Sequence, residues 1–295
     1  MTKSQRLPLW IRRRLPGAHA LARVRADTYA LGLPTVCREA RCPNQGECSE
    51  RGTATFLILG DRCTRNCTFC AVRHGVGEPI RPDEPYRVAR AVASLGLKHA
   101  VITSVTRDDV PDGGAAIFAA TVQAIRETAP AATVEVLIPD FQGSVEALHT
   151  VVRARPDVIN HNLETVPRLY PALRPGASYT RSLELLSRVA DLDTEIVTKS
   201  GIMVGVGEMR SEILDLVRDL ARVRVSVLTI GQYLRPSPQH HPVHRFVPPQ
   251  EFDEMAEAAR ELGMRLVESG PLVRSSYRAG AVLADLKRGQ ISEPH

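Results

Sequence analysis

Aromatic residues make up only 4% of this 295-residue chain, and tryptophan occurs once. A nucleic-acid surface built on rows of stacked aromatics is therefore not expected. No apolar run approaches the roughly 18 residues that cross a bilayer, so no membrane span is expected either. The N-terminus lacks an apolar core followed by a small-residue cleavage site, which argues against a secretory leader. Acidic residues are missing from positions 1–26, which carry Lys3, Arg6, Arg12, Arg13, Arg14, Arg23 and Arg25. Cysteine is missing from all but one stretch: the six thiols lie between residues 37 and 70. With no export signal the expected compartment is the cytoplasm, where thiols stay reduced. Grouped cysteines there point to metal or redox chemistry rather than to a disulfide scaffold.

What is present suits a globular protein. Hydrophobic residues are 43% and charged residues 24%, enough apolar material for a sizeable core. The balance of 38 Lys+Arg against 33 Asp+Glu gives +5, mildly basic. The basic start reads as a solvated arm or as an arm that meets an acidic macromolecule. An arginine-rich, acid-poor start also fits an organelle transit peptide.

From residue 53 a two-part rhythm sets in. An apolar, β-branched run is followed by a segment of helical spacing, and the pair recurs about every 30 residues. Strands are predicted over 55–60, 100–105, 134–139, 158–162, 195–204, 225–230 and 265–268. Helices are predicted over 86–95, 115–128, 145–153, 182–191, 211–223 and 251–262. Leu183, Leu186, Val189 and Ala190 illustrate the apolar stripe of the helices. The strands are continuous apolar runs, as expected when both faces of a sheet are covered. The predicted fold is α/β: a partial (β/α)6 TIM-type barrel over 53–268, an N-terminal extension over 1–52 and a short C-terminal segment over 269–295. A doubly wound open sheet is the alternative that periodicity does not separate. Polar clusters follow five of the predicted strands, at 63–70, 106–114, 161–164, 199–208 and 232–244. In a barrel these would line one mouth.

Cys63, Cys67 and Cys70 have the spacing C-x3-C-x2-C. Three thiolates this close can hold three irons of a cubane cluster and leave the fourth iron open to a ligand. A structural zinc with His74 as fourth ligand is the alternative, although closed zinc sites favour paired C-x2-C units. Cys37, Cys42 and Cys48 form a second triplet, C-x4-C-x5-C, with Pro43 and Gly46 turning the chain between them. It too could hold three irons, the alternative being buried structural cysteines. His240, His241 and His244 suggest a metal site, but their spacing among prolines favours a loop.

Here the sequence resembles a known family. Residues 63–70, CTRNCTFC, are similar to the cluster motif of radical S-adenosylmethionine enzymes, including the aromatic before the last cysteine. Residues 35–48, TVCREARCPNQGEC, resemble the auxiliary-cluster motif of one branch, the lipoyl synthases. So do TSVTRDDVPDGG (103–114), VINHNLETVPRLY (158–170), TKSGIMVGVGE (198–208), TIGQYLRPS (229–237) and GPLVRSSYRAG (270–280). The similarity runs from Trp10 to Gly280. His241 and Phe246 stand where relatives usually have Leu and Tyr, and Thr106 where Asn or Asp is common.

The resemblance implies a sulfurtransferase with two 4Fe-4S clusters and S-adenosyl-L-methionine. Cys63, Cys67 and Cys70 would hold the cluster that cleaves the cofactor to a 5′-deoxyadenosyl radical. Cys37, Cys42 and Cys48, with Ser276 (or Ser275) of the RSSY motif, would hold the auxiliary cluster that donates sulfur. The implied reaction inserts sulfur at C6 and C8 of an octanoyl chain on a lysine of a carrier. That carrier is the lipoyl domain of a 2-oxoacid dehydrogenase E2 or a glycine-cleavage H-protein. Cofactor contacts would come from Asp112, Gly113 and Gly114, from Asn160, Asn162 and Glu164, and from Lys199 and Ser200. Asp112 also reads as a helix N-cap. A ferredoxin or flavodoxin and an iron–sulfur carrier are the implied protein partners; no nucleic acid or membrane is expected. Carrier domains are typically acidic, which gives the basic arm a steering role. Charge reversal at Arg12, Arg13 and Arg14 is expected to raise the apparent KM for a carrier protein and to weaken its salt dependence. An unchanged salt profile in steady-state assays would remove that role.

Overall fold

A computed structural model describes residues 7–11, 33, 35–39, 44, 47–48 and 53–288. Seven strands form one sheet: β1 (Thr53–Ile58), β2 (His99–Ser104), β3 (Thr133–Leu137), β4 (Val158–Asn160), β5 (Val197–Val204), β6 (Val227–Gln232) and β7 (Leu266–Gly270). Their order is sequential and every pairing is parallel. Six helices make the crossovers: α1 (Glu84–Ser94), α2 (Ala115–Thr128), α3 (Val145–Arg153), α4 (Tyr179–Leu192), α5 (Arg210–Arg222) and α6 (Pro249–Glu261). A doubly wound sheet reverses its order at a switch point, and this sheet does not. The arrangement is six βα units and a seventh strand. Among the described residues β7 does not pair with β1, so the barrel is partial.

The burial of the strands follows from their composition. Thr53–Ile58 is buried at every position, and so is Val227–Gln232. Helices cover the outer face, while a second set of side chains meets inside. His99 on β2 and Lys199 on β5 both reach Glu135 on β3, at 3.6 Å and 3.0 Å. In a flat sheet β2 and β5 would lie about 14 Å apart, at about 4.8 Å per strand. Glu135 on β3, between them, bridges that span by meeting a side chain from each. Asn160 on β4 adds an amide donor to the same oxygen at 3.1 Å.

Helix boundaries follow local capping chemistry. Ser144 and Ser178 accept the backbone N–H of Ala147 and Arg181, opening α3 and α4. Pro249 occupies the first turn of α6, where its missing N–H is harmless. A further helix, α7 (Ala279–Arg288), is not expected from the sequence. Its Val282 packs with Val227 and Leu266 at the N-terminal ends of β6 and β7. Gly280 lies so close to His99 that a Cβ there would come within 2.9 Å of its side chain. The helix thus closes the floor of the barrel. Among the described residues no helix is long and apolar enough to cross a membrane.

The Glu135–Lys199 pair is fully buried. Burial opposes ionisation of Glu135, but Lys199 and His99 outweigh it and hold the carboxyl down at about 2. Breaking one side of such a pair strands a charge in a low-dielectric interior. Lys199→Ala is expected to cost about 3–5 kcal/mol in urea denaturation of the metal-free chain. The double change Glu135→Leu with Lys199→Met is expected to recover most of that loss.

Candidate active site

The C-terminal ends of the strands surround a cavity of about 580 Å³. The loop after β1 brings Cys63, Cys67 and Cys70 to its wall, the loop after β4 brings His161, Asn162 and Glu164, and the segment after β7 brings Ser275 and Ser276. Leu57, Phe69, Ile202, Met203 and Leu234 give the remaining wall a largely apolar character.

The cysteine loop is held along its length by backbone groups of its own later part and of other loops. Arg62–Cys63 pairs in parallel with Arg73–His74, and Gly75 N donates to Cys63 O at 3.0 Å. Thr64 N donates to Thr106 O at 3.0 Å. Thr68 N donates to Leu173 O at 3.0 Å, and Thr68 O accepts from His241 N at 2.8 Å. Two amides point at sulfur. Thr106 N–H donates to Cys63 Sγ at 3.3 Å, and the Val72 amide bonds the Cys70 thiol. Burial raises the Cys70 thiol to about 12 and also raises Cys67, the second being opposed by the Arg174 charge. Such thiols keep their protons until a metal replaces them. Three thiols with amide donors at two of the sulfurs and a cation nearby form a donor set that fits an iron–sulfur cluster.

Two of the arginines that line the cavity are fixed by hydrogen bonds beside the cysteines. Arg65 donates to both carboxylate oxygens of Asp108, at 2.7 and 2.9 Å, and to Asp140 at 2.6 Å. Burial would lower the Arg65 pKa, but those two carboxylates raise it above the usual value. Arg174 donates to the carbonyls of Asn162 and Leu163 at 2.9 and 3.1 Å and to Tyr170 Oη at 3.0 Å. Arg174 Nε and Asn162 Oδ1 are buried without a protein partner, so both keep hydrogen-bonding capacity. Asn162 donates to Glu164 at 3.0 Å, and burial raises the Glu164 carboxyl above its ordinary value. Glu164 adopts φ +65° and bridges to Ile202, which ties the loop after β4 to β5. At Gly201 a Cβ would stand 2.6 Å from Thr229 Oγ1 and 2.8 Å from Asn162 Oδ1, so only glycine admits this approach.

The other sequence-predicted site residues divide. Asn162 and Glu164 share the cavity with the three cysteines. Asn160 and Lys199 sit on the barrel floor with Glu135. Ser200 Oγ accepts from Leu163 N at 3.3 Å, behind the cavity wall. Asp112 caps the start of α2 by accepting from Gly114 N and Ala116 N, each at 2.9 Å. Gly113 lines a separate cleft with Arg107 and Phe141, and Gly114 packs against Leu59. Arg65 and His161 fall inside the polar clusters predicted at 63–70 and 161–164 but without a role of their own, and Arg174 falls outside every predicted cluster. Arg174 lies just beyond the quoted motif at 158–170, and nothing local marks its role.

The second triplet is only partly described. Cys48 is half-buried, the backbone of Cys37 lies in a helical turn (Val36–Glu39), and the Cys37 side chain and all of Cys42 fall outside the described residues. Its surroundings are informative. Asn44 Nδ2 donates to Leu272 O at 2.6 Å, and Tyr277 Oη donates to Glu47 Oε1 at 2.9 Å. These bonds join the segment before β1 to the segment that carries Ser275 and Ser276. Val36 lines the cavity as well. Arg12, Arg13 and Arg14 fall outside the described residues.

Comparison with known proteins agrees with this geometry. Residues 57–220 match the Radical SAM superfamily. The fold is similar to that of SuiB from Streptococcus suis bound to S-adenosylmethionine, with TM-score 0.56 and 11% identity over 74% of this chain and 50% of that one. It is also similar to the hydrogenase maturase HydG from Carboxydothermus hydrogenoformans, with TM-score 0.57 and 12% identity over 91% and 70%. The barrel and the three-cysteine loop at its mouth define a radical SAM protein. Among curated proteins, the lipoyl synthase of Rubrobacter xylanophilus is 54% identical over 284 residues, covering 96% of this chain and 88% of that protein. That of Caldanaerobacter subterraneus subsp. tengcongensis is 53% identical, covering 96% and 99%. The chain belongs to the lipoyl synthase family.

His161 gives the cavity a measurable pH signature. Its Nδ1 donates to Ile138 O at 2.8 Å and its Nε2 meets Ser182 Oγ at 2.9 Å. Burial first, and then the Arg174 charge, push its pKa down from 6.5 to about 4. Between these values the unfolded chain binds a proton that the folded chain does not, so stability falls as pH drops through this window. His161→Asn is expected to flatten the slope of Tm against pH between about 6.5 and 4. A slope equal to that of the parent would reject the assignment.

Proposed function

We propose that this protein inserts two sulfur atoms, at C6 and C8, into an octanoyl chain held on a lysine of a lipoyl carrier protein. Cys63, Cys67 and Cys70 hold one 4Fe-4S cluster. Cys37, Cys42, Cys48 and Ser276 (or its neighbour Ser275) hold the second. With S-adenosylmethionine bound, these groups supply the electron, the hydrogen-abstracting radical and the sulfide. The observation that supports this reading best is a single cavity lined by Cys63, Cys67 and Cys70 and also by Ser275 and Ser276, over 200 residues later. An acyl chain in that cavity would reach both the cysteine loop and the two serines.

The chain's own residues have separable tasks. The amides of Thr106 and Val72 stabilise negative charge on the Cys63 and Cys70 sulfurs. Arg174, Asn162 and Glu164 line the cavity, Arg174 offering a cation to the carboxylate of the cofactor and Asn162 and Glu164 offering polar partners to its amino group. Asp112, Gly113 and Gly114 shape the neighbouring loop, and Asn160, Lys199 and Ser200 support the cavity from behind. The apolar wall at Leu57, Phe69, Ile202, Met203 and Leu234 receives the hydrocarbon chain and excludes water from a reactive radical. A serine oxygen is a harder donor than thiolate and binds iron less firmly, which suits a cluster that is dismantled.

The organisation we propose is an extension over 1–52, a barrel over 53–268 and a closing segment over 269–295. The substrate carrier is an E2 lipoyl domain or an H-protein in the cytoplasm. A ferredoxin or flavodoxin delivers electrons, and an iron–sulfur carrier rebuilds the consumed cluster. Cys42→Ala is expected to leave cofactor cleavage intact and to abolish sulfur transfer, read by mass spectrometry of an octanoyl-lysine peptide under anaerobic turnover. Loss of both activities, or of neither, would overturn the division of labour between the triplets.

A further inference from the structure

The three histidines at 240–244 are the conspicuous sequence feature that the proposed reaction leaves unused. The structure does not gather them around a common point. His244 N donates to Gly205 O at 2.8 Å, and His241 packs against Tyr233, with ring centroids 6.3 Å apart. His240 turns elsewhere. Its Nε2 lies 3.0 Å from the carbonyl oxygen of Cys70, 170 residues earlier in the chain. A carbonyl only accepts, so Nε2 carries the hydrogen, and Nδ1 faces the Ser237 hydroxyl at 2.8 Å.

The loop that presents His240 is braced. Arg235 Nε donates to His240 O at 2.8 Å, and its guanidinium also reaches the carbonyl of Pro238. His240 N donates to Ser237 O at 3.0 Å, and Tyr233 Oη donates to His241 O at 2.7 Å. The next amide, His241 N, donates to Thr68 O. Two adjacent residues of a rigid loop therefore grip two carbonyls of the cysteine loop, at Thr68 and Cys70. On its other flank that loop is held by Ala172 and Leu173, through the side chain and the amide of Thr68. Removing the ring would leave the Cys70 end with the Val72 amide and its own turn bond, Cys70 N to Cys67 O at 3.1 Å.

We propose that His240 is a positioning residue for the cluster at Cys63, Cys67 and Cys70: its Nε2–H clamps the Cys70 carbonyl and fixes that corner of the loop. The inference rests on the reading of those cysteines as cluster ligands and goes beyond it by assigning the clamp. His240 touches neither iron nor sulfur, so its effect belongs on retention and geometry of the cluster rather than on a proton.

The test uses the full chain with Cys37, Cys42 and Cys48 changed to Ala, so that one cluster remains. About four irons per chain are expected in this background. Iron release to a chelator under anaerobic conditions is then timed, and the EPR spectrum of the reduced cluster is recorded. His240→Ala is expected to release iron between about twofold and tenfold faster, the range one hydrogen bond of ordinary strength carries. Its EPR line shape is expected to shift. His240→Gln sets an amide N–H near the place of Nε2–H and is expected to restore both readouts to within about twofold of the parent. Release and spectra equal to the parent in His240→Ala would overturn the clamp. So would a His240→Gln variant that matches His240→Ala. A background protein without iron would instead overturn the ligand reading, and the clamp with it.

Discussion

Three sulfurs on one loop serve a cluster only if the loop holds still, and here its stillness is imposed in large part by other loops. Neither face of the loop belongs to a strand or helix longer than two residues. It is gripped by carbonyls and amides of segments beginning at Gly75, Thr106, Ala172 and His240. Each grip comes from a different βα unit or its loop. The geometry of the cysteines is therefore a property of the whole mouth, and the mouth exists because all seven strands point their C-terminal ends the same way. A strand out of order would remove one of the contacts.

The inside of the sheet is held by an equally concrete cluster. Side chains from β2, β3, β4 and β5 converge on Glu135, and α7 shuts the floor beneath them. Such a buried cluster stabilises only when complete. It also explains why Lys199 and Asn160 are polar without lining the cavity. Their partners lie inside the barrel, one layer below the mouth. Ser200, Gly201 and Asn162 make the transition between the two layers, where Thr229 and Asn162 leave no room for a side chain at 201.

Much of this was legible from residues alone. Strand runs of uniform burial and amphipathic helices gave α2 and α3 their observed ends, because Asp112 and Ser144 mark the starts chemically. α4 begins three residues earlier than its apolar stripe suggests, since Ser178 caps it and a cap carries no hydrophobic signal. The helix after Tyr277 went unseen because its stripe, Val282 and Leu283 among alanines, is short. The cavity cysteines were legible through their spacing. Arg65 and His161 were legible only as members of polar clusters, and Arg174 not at all, because an arginine on a loop reads as solvated until the fold supplies its carbonyls and carboxylates. The layer assignment of Asn160, Lys199 and Ser200 also required the fold. A strand's sequence says that a residue lies on β4 or β5, but not at what height.

The sheet stops at seven strands, and what fills the remaining side is of a different nature. Thr35 makes an isolated bridge to Phe56 on the outer edge of β1, and side-chain bonds from Asn44 to Leu272 and from Tyr277 to Glu47 help tie the two terminal segments together. The loop of Cys63, Cys67 and Cys70 thus belongs to the barrel, while Cys48 and the RSSY serines lie on the segments before and after it. An enzyme that spends part of itself in each cycle is well served by such a division. On the proposed ligand assignment, the centre that starts the reaction is built into the barrel, and the centre that gives up its sulfur bridges the two segments that flank it.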